Sequence, residues 1–171
     1  VRIHDSSFSV EGIRNLSSGP ALSSLELQNT GVSKEGLVEL RTCKTLLRLV
    51  LREPNLQDAD LAGLAGSSIA NLWLECRNVS AEGLVHLSKM PRLRELHLQI
   101  PVDADGVRML PTNPRLNRVN VCVEAFTPEI LKPLQQLDRR GVSVTVYGPK
   151  GRWNEDQIRT QAGGQIEIFF Y

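Results

Sequence analysis

Apolar positions along this chain recur in register. Stepping forward from Leu25, the residues Leu49, Leu72, Leu96, Val119 and Val144 hold the same place at intervals of 24, 23, 24, 23 and 25. Two residues further on, a second column reads Ile3, Leu27, Leu51, Leu74, Leu98, Val121 and Val146, and a third, upstream, reads Leu22, Leu46, Ile69, Leu93 and Leu116. The later part of each period agrees. Its columns are Phe8, Val32, Leu56, Val79, Val102 and Phe126, then Ile13, Leu37, Leu61, Leu84, Val107 and Leu131, then Leu16, Leu40, Leu64, Leu87, Leu110 and Leu134. Self-similarity at a period of this length marks an architecture of repeated supersecondary units.

Each unit contains two rhythms. In Leu25-Glu26-Leu27 the apolar residues alternate with a polar one, the signature of a strand with one buried face. Leu37 and Leu40, three apart, share one face of a short helix. A unit is therefore a strand, a turn and a helix. Ser9, Ser33, Ser80, Asp103 and Thr127 stand where helix N-caps belong, and Pro128 suits the first helical position. Two residues past each cap is an acid (Glu11, Glu35, Glu82, Asp105 and Glu129), favourably placed against the helix dipole. The unit that starts at Leu46 departs from this pattern, with Asp58 and Asp60 serving a shifted start. Gly12, Gly36, Gly83 and Gly106 follow the acid, and glycine in a first turn predicts close approach by a neighbouring coil. A unit this small cannot bury its own apolar face, so units must stack around a shared core. The strands then lie side by side in parallel with the helices opposite. Helices are wider than the roughly 4.8 Å strand spacing, which puts the strands on the concave side.

The run Leu22-Ser23-Ser24-Leu25-Glu26-Leu27-Gln28-Asn29-Thr30-Gly31-Val32 resembles the leucine-rich repeat, and the "SKEGLVEL" that follows is similar to its 24-residue, helix-bearing variety. The resemblance covers residues 1–147 as six helix-bearing units and a last strand. It implies an α/β solenoid, with a parallel β-sheet on the concave side and helices on the convex side. The family usually places Asn, Thr or Cys two residues before the Val or Leu of the turn, where it satisfies backbone groups of the stacked loops. Here that place holds Ser6, Thr30, Pro54, Arg77 and Glu124, so a buried polar ladder is expected to be mostly absent. Irregular loops are expected over residues 52–55 and 99–103, where Pro54 and Pro101 lack backbone donors. Beyond residue 147, "GPKGR" reads as a turn, "WNEDQIRTQA" as a short helix and "QIEIFFY" as a strand, together a C-terminal αβ cap of the same domain over residues 148–171.

Composition narrows the chemistry. The chain's 171 residues suit one domain, and a net charge of +1, from 20 Lys and Arg against 19 Asp and Glu, gives no general phosphate-binding surface. Nucleic acid is therefore not an expected partner, and with no apolar run near the roughly 20 residues of a membrane span, neither is a membrane. Cys43, Cys76 and Cys122 show no metal-ligand or redox spacing. They read as reduced thiols of a cytoplasmic protein, with one disulfide and an odd thiol as the alternative. The chain starts at Val1 in an apparent strand, without Met or leader, so further repeats are expected upstream.

In such a stack the strand residues between the leucines face outward in three columns. The first is Ser24, Arg48, Asn71, Glu95, Arg118 and Ser143; the second Arg2, Glu26, Val50, Trp73, His97, Asn120 and Thr145; the third His4, Gln28, Arg52, Glu75, Gln99, Cys122 and Tyr147. From these, Arg48, Val50, Arg52, Trp73, Glu75, Glu95, His97, Gln99, Arg118 and Asn120 are the expected contacts of a partner. Trp73 leads because exposed Trp and Arg are enriched among binding hot spots; the alternatives are a Trp73 lying flat over its neighbours, stacked by an arginine, and one covered by a loop. A His97–Cys122 pair is the one arrangement that invites a nucleophile or metal reading, yet no acid is clearly placed to orient the imidazole. "GPKGRW" lacks the phosphate-loop spacing. The expectation is a monomeric module that binds another protein through its concave face, with no cofactor, metal or catalysis. The alternatives are the substrate-recognition part of a larger enzyme or complex, such as a ubiquitin-ligase receptor or bacterial effector, and an enzyme with a pocket around His97 and Cys122.

Overall fold

Alternation of apolar and polar residues drives eight short segments into strands: β1 (Arg2–His4), β2 (Ser24–Gln28), β3 (Arg48–Arg52), β4 (Asn71–Leu74), β5 (Glu95–Val102), β6 (Arg118–Val123), β7 (Ser143–Gly148) and β8 (Glu167–Phe170). They form one parallel sheet in strict chain order. Between them lie α1 (Val10–Ser17), α2 (Lys34–Leu40), a 3-10 segment (Asp58–Leu64), α3 (Ala81–Leu84) running into a 3-10 turn (Val85–Lys89), α4 (Ala104–Arg108), α5 (Pro128–Arg139) and α6 (Glu155–Ala162). This computed structural model describes residues 1–7, 9–19, 21–110, 113–149, 154–163 and 165–171. Phe8, most of the expected 148–152 turn and Trp153 lie outside the described residues.

The strand register reproduces the sequence columns. Leu25 stands opposite Leu49, then Leu72, Leu96, Val119 and Val144 in successive strands. Leu27, Leu51, Leu74, Leu98, Val121 and Val146 form the second row, which Ile168 of β8 extends. Both rows are buried and join the helix residues Leu37, Leu40, Leu61, Leu84, Leu134 and others in one core. Each fully buried leucine contributes about 2 kcal/mol by area removed from water. Successive helices touch along the stack: α1 with α2, α2 with the 3-10 segment, that segment with α3, α3 with α4, α4 with α5, and α5 with α6.

Helix starts follow the expected chemistry, with two departures. Ser9, Ser33 and Asp103 accept the backbone N–H three residues on, and Ser80 accepts that of Glu82. Thr127 occupies its cap position without a cap bond. Its hydroxyl serves Glu129 instead, whose carboxyl is held below the usual range by its own backbone N–H and then by that hydroxyl. In the unit that starts at Leu46, Asp60 accepts from the Gln57 backbone N–H at 2.9 Å. Asp58 reaches the next unit, accepting from the Ser80 N–H at 2.7 Å and its hydroxyl at 2.6 Å. This segment winds as a 3-10 helix and packs closely on α2: a Cβ on Gly63 would meet the Lys34 carbonyl oxygen at 2.7 Å.

The turn layer is tied by a residue outside the expected polar position. Glu53, 1% exposed, turns its carboxylate inward. It accepts from the Thr30 N–H at 2.9 Å, the Thr30 hydroxyl at 2.5 Å and the Gly31 N–H at 3.0 Å. Elsewhere Cys43 and Cys76 do similar work through weak thiol donors to the Leu22 and Leu51 carbonyls. All three cysteines are free, and burial pushes the Cys76 thiol up to about 11. The segment expected to be an irregular loop over residues 99–103 is strand as far as Val102, with a bulge: Leu98 faces Val121 and Pro101 faces Cys122, leaving Gln99 and Ile100 between them. Ile100 is buried, and that apolar anchor keeps the chain extended. At the far edge β8 adds in parallel to β7, and Phe170 meets Phe126 at 5.5 Å between ring centres.

Candidate functional site

Strand alternation that buries one set of side chains turns the other set to the opposite face of the sheet. That open face carries the ten candidates, since Arg48, Asn71, Glu95 and Arg118 form one row across the strands and Val50, Trp73, His97 and Asn120 the next. Nine of the ten are at least partly exposed. Val50 is not: at 1% exposure it is covered, and its expected contact role is corrected accordingly. It stands between Glu26 and Trp73 in register, and these longer side chains overtop a short one.

Opposite charges alternate across neighbouring strands. Arg2 pairs with Glu26 at 3.0 Å, Glu26 also pairs with Arg52, and Arg52 pairs with Glu75 at 2.9 Å. In the next row Glu95 lies 3.6 Å from Arg118 and 3.8 Å from His97 Nε2, and accepts from Asn71 at 3.3 Å. The more exposed of these pairs, such as Arg118 with Glu95, contribute about 0–1 kcal/mol each, whereas Glu26 is itself buried between its two arginines. Their larger effect is to leave the face with little unmatched charge.

Trp73 lies flat, although not on an arginine. Its ring stacks on His97 with centres 4.9 Å apart and planes 8° from parallel, and its Nε1–H donates to Gln99 Oε1 at 3.2 Å. His97 Nδ1 meets Asn120 Nδ2 at 2.9 Å. The Glu95 carboxylate beside Nε2 selects the Nε2–H tautomer, so Nδ1 accepts and the Asn120 amide donates. The Asn120 oxygen is left buried without a protein partner among the described residues. Burial holds the His97 imidazole below its ordinary pKa, with Glu95 opposing and Arg118 and Arg48 reinforcing the shift.

Beside this stack the face sinks into a hollow of about 320 Å³, lined by Trp73, His97, Leu98, Gln99, Asn120, Cys122, Tyr147 and Tyr171. Tyr147 stacks on Phe169 with centres 5.5 Å apart. Phe169 and Tyr171 are 50% and 67% exposed. These two aromatics were absent from the candidates, although the alternation in Glu167-Ile168-Phe169-Phe170-Tyr171 carries the signal: Ile168 goes inward and its neighbours outward.

The hollow does adjoin His97 and Cys122. However, neither imidazole nitrogen is turned to the thiol: one meets Asn120 and the other Glu95. Burial raises the Cys122 thiol and lowers His97, which keeps both neutral, whereas nucleophilic catalysis uses a thiolate. Among the described residues no group of three or more His, Cys, Asp or Glu is placed to hold a metal ion, and no helix is long and apolar enough to cross a membrane. In comparisons with known proteins, no family model matches the chain and no curated protein matches it.

Proposed function

We propose that this chain is a leucine-rich-repeat-like solenoid that binds another protein through the open face of its sheet, without catalysis of its own. The observation that carries this reading is the contrast between the two faces. Beneath lie rows of fully buried Leu and Val in continuous parallel register; above them, the same strands present a varied set of Trp, Tyr, Arg, Glu and amide side chains. Side chains held on a rigid sheet lose little freedom on docking, so more of each contact appears as affinity. Trp73 and Arg118 are of the residue types that dominate hot spots.

The test is affinity capture with three variants. Lys132→Glu, exposed on α5, alters the helical side and should leave specific capture unchanged. Trp73→Ala and Arg118→Glu alter the open face, and Trp73→Ala should weaken the partner by about 2 kcal/mol or more, roughly 30-fold. If every specific partner is retained equally by the open-face variants and lost with Lys132→Glu, the binding surface is on the helices and the proposal fails.

A further inference from the structure

We infer that the hollow beside Trp73 is the anchor pocket for one tryptophan side chain of the partner protein, an inference that rests on the open-face reading above. Three features of the hollow define the occupant. The first is charge: none of its lining side chains is a carboxylate, lysine or arginine, and the imidazole that lines it is kept neutral by burial. The nearby charges are already matched to one another, with Glu95 on Arg118 and Glu75 on Arg52. An arginine or lysine entering there would meet no free counter-charge, and Arg48 and Arg118 near His97 oppose a cation. Arg48, the nearby cation with no ion pair among the described residues, is not part of the lining, so a carboxylate inside the hollow would not be paired by it. The complement of such a surface is a neutral group.

The second feature is shape. The walls are flat rings: the Trp73–His97 stack on one side and Tyr147, itself stacked on Phe169, on the other, with Tyr171 at the rim. Flat walls fit a planar group better than a branched aliphatic one, and offset ring contacts are favourable beyond the area they bury. A volume of about 320 Å³ admits a bicyclic ring and excludes an element of secondary structure. The third is hydrogen bonding. The wall offers an acceptor, since among the described residues the exposed Gln99 takes only the Trp73 N–H on its Oε1, which has a second lone pair to give. An indole brings one N–H donor with its ring; a phenyl ring brings none.

The probe is N-acetyltryptophanamide, which presents the ring between two amides as a polypeptide does. It is titrated into the ¹⁵N-labelled full chain, with the Trp73 indole N–H and the side-chain amides of Gln99 and Asn120 as reporters. Saturable shifts of these signals are expected in the millimolar range. N-acetylphenylalaninamide, N-acetylargininamide and free tryptophan, whose charged termini a chain-borne residue lacks, should each bind several-fold more weakly. Cys122→Phe fills the hollow and should abolish the shifts, and Tyr171→Ala, which removes an exposed rim residue, should weaken them several-fold. The inference is overturned if N-acetyltryptophanamide gives no saturable shift, if the arginine analogue or free tryptophan binds as tightly, or if filling the hollow changes nothing. Partner capture separates the two proposals. Capture that survives Cys122→Phe but not Arg118→Glu overturns the pocket and leaves the open face standing; capture indifferent to both removes the open-face reading on which the pocket rests.

Discussion

Glu53 ties the turn layer with a charged side chain where the next unit places the weaker thiol of Cys76. Its carboxylate gathers two backbone N–H groups and one hydroxyl in a site closed to water. Glu53→Ala leaves those donors buried and unsatisfied, at a cost of about 1–3 kcal/mol for each stranded group after relaxation. The expected result is a lower urea midpoint with an unchanged m-value, a loss of about 3 kcal/mol in all; a loss under 0.5 kcal/mol would mean that water replaces the carboxylate freely. His97 makes a pH-dependent contribution of definite sign. Its folded-state pKa lies below the ordinary 6.5, so between the two values the unfolded chain binds more protons and stability rises with pH. Acidification from pH 7 through 6.5 should therefore weaken the fold until the folded-state pKa is passed, where the slope ends. His97→Phe should flatten that part of the pH profile, and an NMR titration of the imidazole should find its midpoint below 6.5.

At the scale of elements, the helix starts were largely legible because capping is local chemistry: Ser9, Ser33, Ser80 and Asp103 bond backbone groups within three residues. The 3-10 winding of Asp58–Leu64 was not legible. Nor was the close seat of Gly63 on α2 of the previous unit, a contact that no window of the segment's own sequence contains. The same crowding gives first-turn glycine its meaning at Gly36, where an added Cβ would meet Ile13 Cδ1 at 2.6 Å and Val32 Cγ2 at 2.9 Å. Alanine is the better helix former by about 1 kcal/mol, yet here it must push two core side chains aside. Gly36→Ala should thus destabilise by about 1–3 kcal/mol in thermal or chemical unfolding. Stabilisation would mean that the stack yields at this point.

For the whole molecule, the columns of Leu and Val forecast the sheet's order and register, since an unbroken period lets each strand find only its successor. The occupants of the open face were legible by the same alternation, but their relations were not. That Val50 is covered, that Trp73 chooses His97 over an arginine, and that Tyr171 closes a hollow begun four strands earlier all depend on side chains meeting across the sheet. Such meetings are set by relative lengths and by a bulge at Gln99 and Ile100, which a column of letters does not contain.

The unbroken neighbour-to-neighbour order of the strands also bears on how the chain tolerates insertion and loss. Among the described residues no strand bonds to one distant in the chain, so excising one complete period brings together two edges of matching phase, and duplicating one lengthens the array without rewiring it. Excising half a period instead sets a helix seam against a strand edge and turns leucines outward. The molecule is thus modular in steps of a whole repeat and brittle to anything less.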